Sequence, residues 1–290
     1  MWYYVKEKQK IGPVSDAAIH DLFRNGVIKK STLVWAPEIP TWIPMEDSSI
    51  YKRITKPPKS NSLAILNTIT YALRAFIVAW IIFLGVRGYY LVESYNFFRD
   101  IWTQSQSIES VQDAIRLVVL QQTITMTKLI SWLLIFIMAG IVARWFYIIA
   151  HTSKSIDNSF KYSPYAAAFS FIIPFVNFIL PCQVMWSALK ASLYATRQKL
   201  SAFDVSLFFS WWTCWIITAL MFMVQTFTSD SGSDNIQVSI CFAIFVVALM
   251  ALTSFLFLLV VSRITSLQRK FFSNAENLKS KTAHIDARTF

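Results

Sequence analysis

Residues 129–150, LISWLLIFIMAGIVARWFYIIA, form an apolar run broken by a single charge, Arg144. About 20 apolar residues in a helix cross the roughly 30 Å hydrocarbon core of a bilayer, and this run has that length. Runs of the same kind lie at 71–91, 205–227 and 236–261. Lipid offers no hydrogen bonds, so a spanning segment must satisfy its own backbone, and a helix does so within one run. The chain as a whole agrees, with 55% apolar and 15% charged among its 290 residues; soluble domains carry about 25% charged. The expected architecture is a multi-pass α-helical membrane domain at 63–272, preceded by a small α+β domain at 1–50 and a linker at 51–62. A basic tail follows at 273–290.

A fifth apolar stretch, 163–189, is interrupted by Pro174 and Pro181, with Asn177 between them. Proline removes a helical hydrogen bond and kinks the chain, and freed backbone groups at membrane depth survive only where protein or water satisfies them. The basic residues decide how this stretch is read. If all five stretches cross, Lys and Arg outside them divide 12 against 12 between the two sides. If 163–189 enters and returns, the division becomes 21 against 3. Lys and Arg gather on the cytoplasmic side of membrane proteins, so four spans plus a re-entrant hairpin is the favoured reading, with five spans as the alternative. Both termini are then cytoplasmic, and the acidic turn Asp230–Asp234 faces outward. Between the first two spans, 92–128 is mixed and amphipathic, and reads as an interfacial or extramembrane helical segment.

The first 50 residues follow other rules. Trp2–Val5 is aromatic and β-branched, as a strand would be. Gly12-Pro13 marks a turn. Ser15 is a good N-cap for a helix with Ile19, Leu22 and Phe23 on one face, stopped by Asn25-Gly26. Thr32–Trp35 reads as a second strand, and Trp42-Ile43-Pro44 closes the unit. The residues after Met1 lack a charged region followed by an apolar core, so no cleavable signal peptide is expected. In the linker, Lys52, Arg53, Lys56 and Lys59 flank Pro57-Pro58 just before the first span, a patch suited to anionic lipid headgroups.

Catalytic signatures are missing. The three histidines, His20, His151 and His284, have no partners at metal-ligand spacing, and Cys182, Cys214 and Cys241 lie in apolar runs. The five apolar stretches contain no Asp or Glu, which argues against proton-coupled pumping and intramembrane proteolysis. Neither metal nor cofactor is expected, and no enzymatic activity. The net charge of +11 follows from membrane topology rather than from nucleic-acid binding. Arg144 either snorkels to the headgroups or contacts an anion beside the hairpin. Asn177 either satisfies groups around the two prolines or lines a substrate path. Trp2, Tyr4, Phe23, Trp35 and Trp42 divide between the small domain's core and a groove for an extended proline-rich peptide.

Two resemblances organise these residues. Trp2-Tyr3-Tyr4, Ile11-Gly12-Pro13-Val14, Gly26, Thr32-Leu33-Val34-Trp35 and Trp42-Ile43-Pro44 resemble the bacterial GYF-like domain of the second type. That resemblance implies a protein-interaction module, since eukaryotic GYF domains bind proline-rich peptides on an aromatic face. Gly26-Val27-Ile28 stands here where the family name has Gly-Tyr-Phe. The remainder, from the first span to the last, resembles a bacterial membrane family known as a domain of unknown function (number 4328). The resemblance is carried by Arg144-Trp145, Ser163-Pro164, Pro174, Asn177, Pro181 and Trp186, and it implies an architecture without an activity. The expected function is a non-enzymatic adaptor whose cytoplasmic small domain captures a protein segment at the membrane. A small transporter or channel lined by the broken helix is the alternative, and an accessory subunit packing lipid or partner helices is a third.

Overall fold

The computed structural model describes residues 1–7, 9–24, 26–51, 60–103, 111–157, 160–170, 173, 176–229 and 236–286. The linker patch, Pro174, the turn at 230–234 and residues 287–290 therefore lie outside the described residues.

The small domain is a four-stranded antiparallel sheet, β1 (Trp2–Lys6), β2 (Gln9–Val14), β3 (Leu33–Trp35) and β4 (Ile43–Pro44), in the order β2-β1-β3-β4. Helix α1 (Asp16–Arg24) packs against it. Side chains alternate across a strand, so β1 sends Trp2 and Tyr4 into the core with Ile19, Ile28, Val34 and Met45, and leaves Tyr3 on the other face. Ser15 caps α1, its Oγ accepting from the Ala18 N–H at 3.1 Å. After Phe23 the helix closes through Gly26 at φ +75, whose N–H donates to the Phe23 carbonyl.

Gly12-Pro13 belongs to β2 and not to a turn, a correction to the sequence reading. The β1–β2 register slips between Trp2 and Tyr4, and Gly12 lies against that bulge at φ +143. A Cβ there would stand 2.7 Å from the Trp2 carbonyl oxygen. Gly12→Ala should therefore destabilise the small domain by about 2 kcal/mol or more. Limited proteolysis of the full chain, read at cleavage within 1–50, measures this.

Four helices are long and apolar enough to cross a membrane, among the described residues. They are α2 (Ser60–Thr103), α3 (Val111–Ile156), α6 (Ala202–Ser229) and α7 (Ile236–Asp286). Large apolar side chains such as Ile82, Phe136, Leu220 and Phe255 point out of the bundle, as in a multi-pass membrane protein, where lipid covers them. Inside, Trp145, Phe146, Phe208, Met185 and Ile264 form the main core.

The helices outrun the bilayer. At 1.5 Å per residue, α2, α3 and α7 exceed about 60 Å each, twice the hydrocarbon thickness of about 30 Å. Residues 92–128 are therefore not a separate segment: 92–103 prolong α2 and 111–128 begin α3. The prolongations hold each other, with Arg116 donating to Glu93 at 3.2 Å and lying over the Phe97 ring. Likewise α7 runs on through the stretch read as a tail, as far as Asp286.

Polar contacts fix how the helices run. Thr70 meets Thr265 at 3.4 Å while Gly88 faces Val247, so α2 and α7 are antiparallel. Arg87 donates to Ser131 at 3.1 Å, which ties α2 to α3 rather than leaving Arg87 to snorkel. Thr218 and Thr253 share a hydrogen bond at 2.8 Å between α6 and α7. Such hydrogen bonds between spans are worth about 1 kcal/mol each and set register more than stability.

One end of the bundle collects the connections. Near the end of α3, the Ile149 carbonyl and the Ser153 hydroxyl accept from Gln268 of α7. At the start of α6, Asp204 accepts from Arg263 of α7 at 2.7 Å. Because α3 ends and α6 begins against the same stretch of α7, the chain between them returns to the end it left. That return consists of α4 (Pro164–Phe169), a 3-10 turn at Val176–Phe178 and α5 (Leu180–Ala195). Among its described residues, the Phe178 ring meets Trp215 at 5.5 Å, farther along α6 than Phe208, which Trp186 meets at 5.1 Å. Tyr162 donates to Gln183 at 3.2 Å and joins the two legs.

The small domain is tethered at this same end, because the linker enters α2 only ten residues before Thr70. Tyr194, at the close of α5, lies near the Asp21 carboxylate of α1. Partial burial, followed by the Asp21 carboxylate and then that of Asp157, pushes the phenol well above its ordinary value.

Candidate functional site

The small domain carries a row of aromatic rings that its core does not use. In the β1–β3 register Tyr3 stands opposite Trp35, and their ring centroids are 5.4 Å apart. Trp42, one residue before β4, lies 6.3 Å from Trp35. From β2, the Lys10 ammonium sits 4.2 Å from the Tyr3 centroid and 5.2 Å from that of Trp35. All three rings are half-buried.

The five aromatics singled out from sequence separate accordingly. Trp2 and Tyr4 are buried, at 4% and 6% exposure, and Trp2 donates its indole N–H to Asp16 at 2.8 Å. They build the core and cannot line a groove, a correction that follows from strand alternation. Phe23 stacks edge-on against Tyr51 at 5.5 Å beside the core. Trp35 and Trp42 are on the open face. Tyr3 and Lys10 complete it, and period-two alternation from Trp2 was the signal that pointed to Tyr3.

This arrangement matches an extended proline-rich ligand in chemistry and in scale. A polyproline II helix rises about 3.1 Å per residue with three residues per turn, so one turn is about 9 Å. That length lies within the reach of three rings spaced as here. Flat rings pack against prolyl rings, and the indole N–H groups of Trp35 and Trp42 have no acceptor among the described residues. The Lys10 charge favours ligands with an acidic residue or a carboxyl end nearby.

In the membrane domain the motif residues take mostly structural places. Trp145 is fully buried, 5.5 Å from Phe146 and 6.3 Å from Phe257, with its indole nitrogen unpartnered. Arg144 is exposed on the outer surface and lies over the Tyr147 ring, which in turn meets Tyr165 of α4. Ser163 caps α4, accepting from the Ala166 N–H at 3.0 Å, and Pro164 occupies the first turn where its missing N–H costs nothing. Pro181 does the same at the start of α5. The Asn177 side-chain oxygen is buried without a partner among the described residues. Trp186 packs between Phe208, Phe209 and the Lys190 ammonium. The three cysteines are free thiols.

A model described as domain of unknown function (DUF4328) matches residues 106–266, more than half of the chain. The chain belongs to the DUF4328 family. The match begins after α2, later than the resemblance read from the sequence, and takes in α3 to most of α7 with the whole re-entrant segment. In this DUF4328 protein α2 nevertheless shares the core, through Leu66, Leu73 and Ile77. A second model, GYF domain 2, matches residues 2–49 and so covers the sheet, α1 and the aromatic row. No curated protein and no solved structure matches the chain.

Proposed function

We propose that the protein is a non-enzymatic membrane adaptor that receives a proline-rich protein segment on Tyr3, Trp35 and Trp42. The observation that carries this reading is the row of three adjacent, half-open rings flanked by Lys10. A GYF-type module and a multi-pass domain on one chain support it, because capture and anchoring are then covalently joined. The small domain is cytoplasmic, at the inner membrane. The motivation is the basic character of its end of the bundle, where Lys154, Lys161, Lys190, Arg197 and Lys199 cluster in sequence. The linker sequence adds Lys52, Arg53, Lys56 and Lys59, a basic composition that suits anionic headgroups.

Panning a random decapeptide display library on the full chain in neutral detergent tests the reading. Proline-rich sequences should be enriched, and should be lost from the same chain carrying Trp35→Ala. Equal recovery of sequences on both chains would refute it.

A further inference from the structure

The guanidinium groups of the bundle divide into two kinds. Arg263 has Asp204, Arg116 has Glu93 and Arg99 has Asp100, while Arg87 donates to Ser131 through Nη1 and leaves its Nε unpartnered among the described residues. Arg74 and Arg269 are different. Arg74 Nε, and both Nε and Nη2 of Arg269, are shielded from solvent and have no hydrogen-bond partner among the described residues. Leaving N–H groups of a cation shielded and unbonded is costly, and Arg74 and Arg269 have no hydrogen bond elsewhere on the guanidinium among the described residues to offset it.

Helix direction and register set these two arginines toward the same stretch of the α2–α7 seam. Side chains on a helix lean toward its N-terminus, and α2 and α7 are antiparallel with Thr70 opposite Thr265. Arg74 therefore leans along α2 toward Tyr71, three residues earlier on the same face. Arg269 leans the opposite way along α7, and its guanidinium lies 5.0 Å from the Tyr71 centroid. Tyr71 is 59% exposed, so the place opens to the outside of the bundle. Asp204, the one buried carboxylate among the described residues, is already held by Arg263 and Ser201. At the mouth of a span this position meets headgroups, and the guanidinium fork fits the oxygens of a phosphate.

We propose that Arg74 and Arg269, framed by Tyr71, form a phosphate-binding site on the seam between α2 and α7. The ligand closes the gap between two like charges and pins the first span to the last. The site is separate from the aromatic row and does not depend on it.

Native mass spectrometry of the full chain in neutral detergent tests the proposal. The probes are dioleoylphosphatidylglycerol, dioleoylglycerol (the same chains without phosphate) and inorganic phosphate as competitor. The full chain should retain the phospholipid at least about tenfold better than dioleoylglycerol, and Arg74→Gln with Arg269→Gln should lose that preference. Arg99→Gln, at the other end of α2, should keep it. Displacement of the lipid by inorganic phosphate would show that the free ion is also accepted, and persistence of the lipid would identify the headgroup as the source. Equal retention of both lipids, or unchanged retention by the double variant, would overturn the site. Should the double variant aggregate, Arg269→Lys must retain more phospholipid than Arg269→Gln, and equality of those two would overturn it as well.

Discussion

Arg263→Leu is expected to lower the stability of the helical bundle by about 3 kcal/mol, the usual cost of leaving one member of a buried pair unpaired. The Asp204 side chain is fully buried, whereas that of Arg263 retains 31% exposure. Arg263 meets both carboxylate oxygens, Nε to Oδ1 at 2.7 Å and Nη2 to Oδ2 at 3.2 Å. Ser201 adds its hydroxyl at 2.8 Å and its N–H at 3.2 Å, and accepts the Asp204 N–H in return, which caps the start of α6. Removing the arginine strands a carboxylate that has nowhere to find water. Removing the carboxylate instead, by Asp204→Asn, leaves an arginine that can still reach solvent, and should cost less. Thermal unfolding in detergent with both variants measures the order. An Asp204→Asn loss larger than that of Arg263→Leu would contradict the burial asymmetry.

Trp35→Ala is expected to weaken capture of a proline-rich peptide at least about tenfold, as loss of a central aromatic anchor does. The ring sits between Tyr3 and Trp42, so its removal separates the remaining two. It is only half-buried, and the domain should stay folded. Trp2→Ala gives the opposite pairing of effects: a cavity in the core and the loss of the Asp16 hydrogen bond, at about 3–5 kcal/mol for a tryptophan. Peptide affinity by fluorescence polarisation, together with proteolysis of the small domain, separates the two cases. A Trp35→Ala chain that binds normally would remove the row from the account.

The sequence made the spans legible because hydropathy and the bilayer's thickness answer one question with one length. Hydropathy is silent about where a helix stops once it leaves lipid. Residues 92–103 and 111–128 turn polar, yet Glu93 and Arg116 pair across the two helices and carry them onward. In the small domain, Ser15 and Asn25-Gly26 announced α1 through capping chemistry. Gly12-Pro13 misled for a physical reason: a bulge needs the same freedom from a Cβ that a turn needs. The open aromatic row was half legible, since Trp35 and Trp42 were named while Tyr3 was passed over for its neighbours on β1. The setting of Arg74 and Arg269 toward one stretch of the α2–α7 seam could not be read at all. It depends on the register of two helices about 195 residues apart in the chain.

Everything about the adaptor's geometry rests on the return of residues 160–195 to the end where they set out, which places the small domain and the basic connections together. Single cysteines at Lys161 and Lys199, in a chain whose native Cys182, Cys214 and Cys241 are replaced by serine, report that directly through a membrane-impermeant maleimide. Both positions should label from the same side, in inverted vesicles and not in intact spheroplasts, with a cysteine at Ser231 showing the reverse. Labelling of Lys161→Cys and Lys199→Cys from opposite sides would show that the proline-broken segment crosses, and would contradict the account.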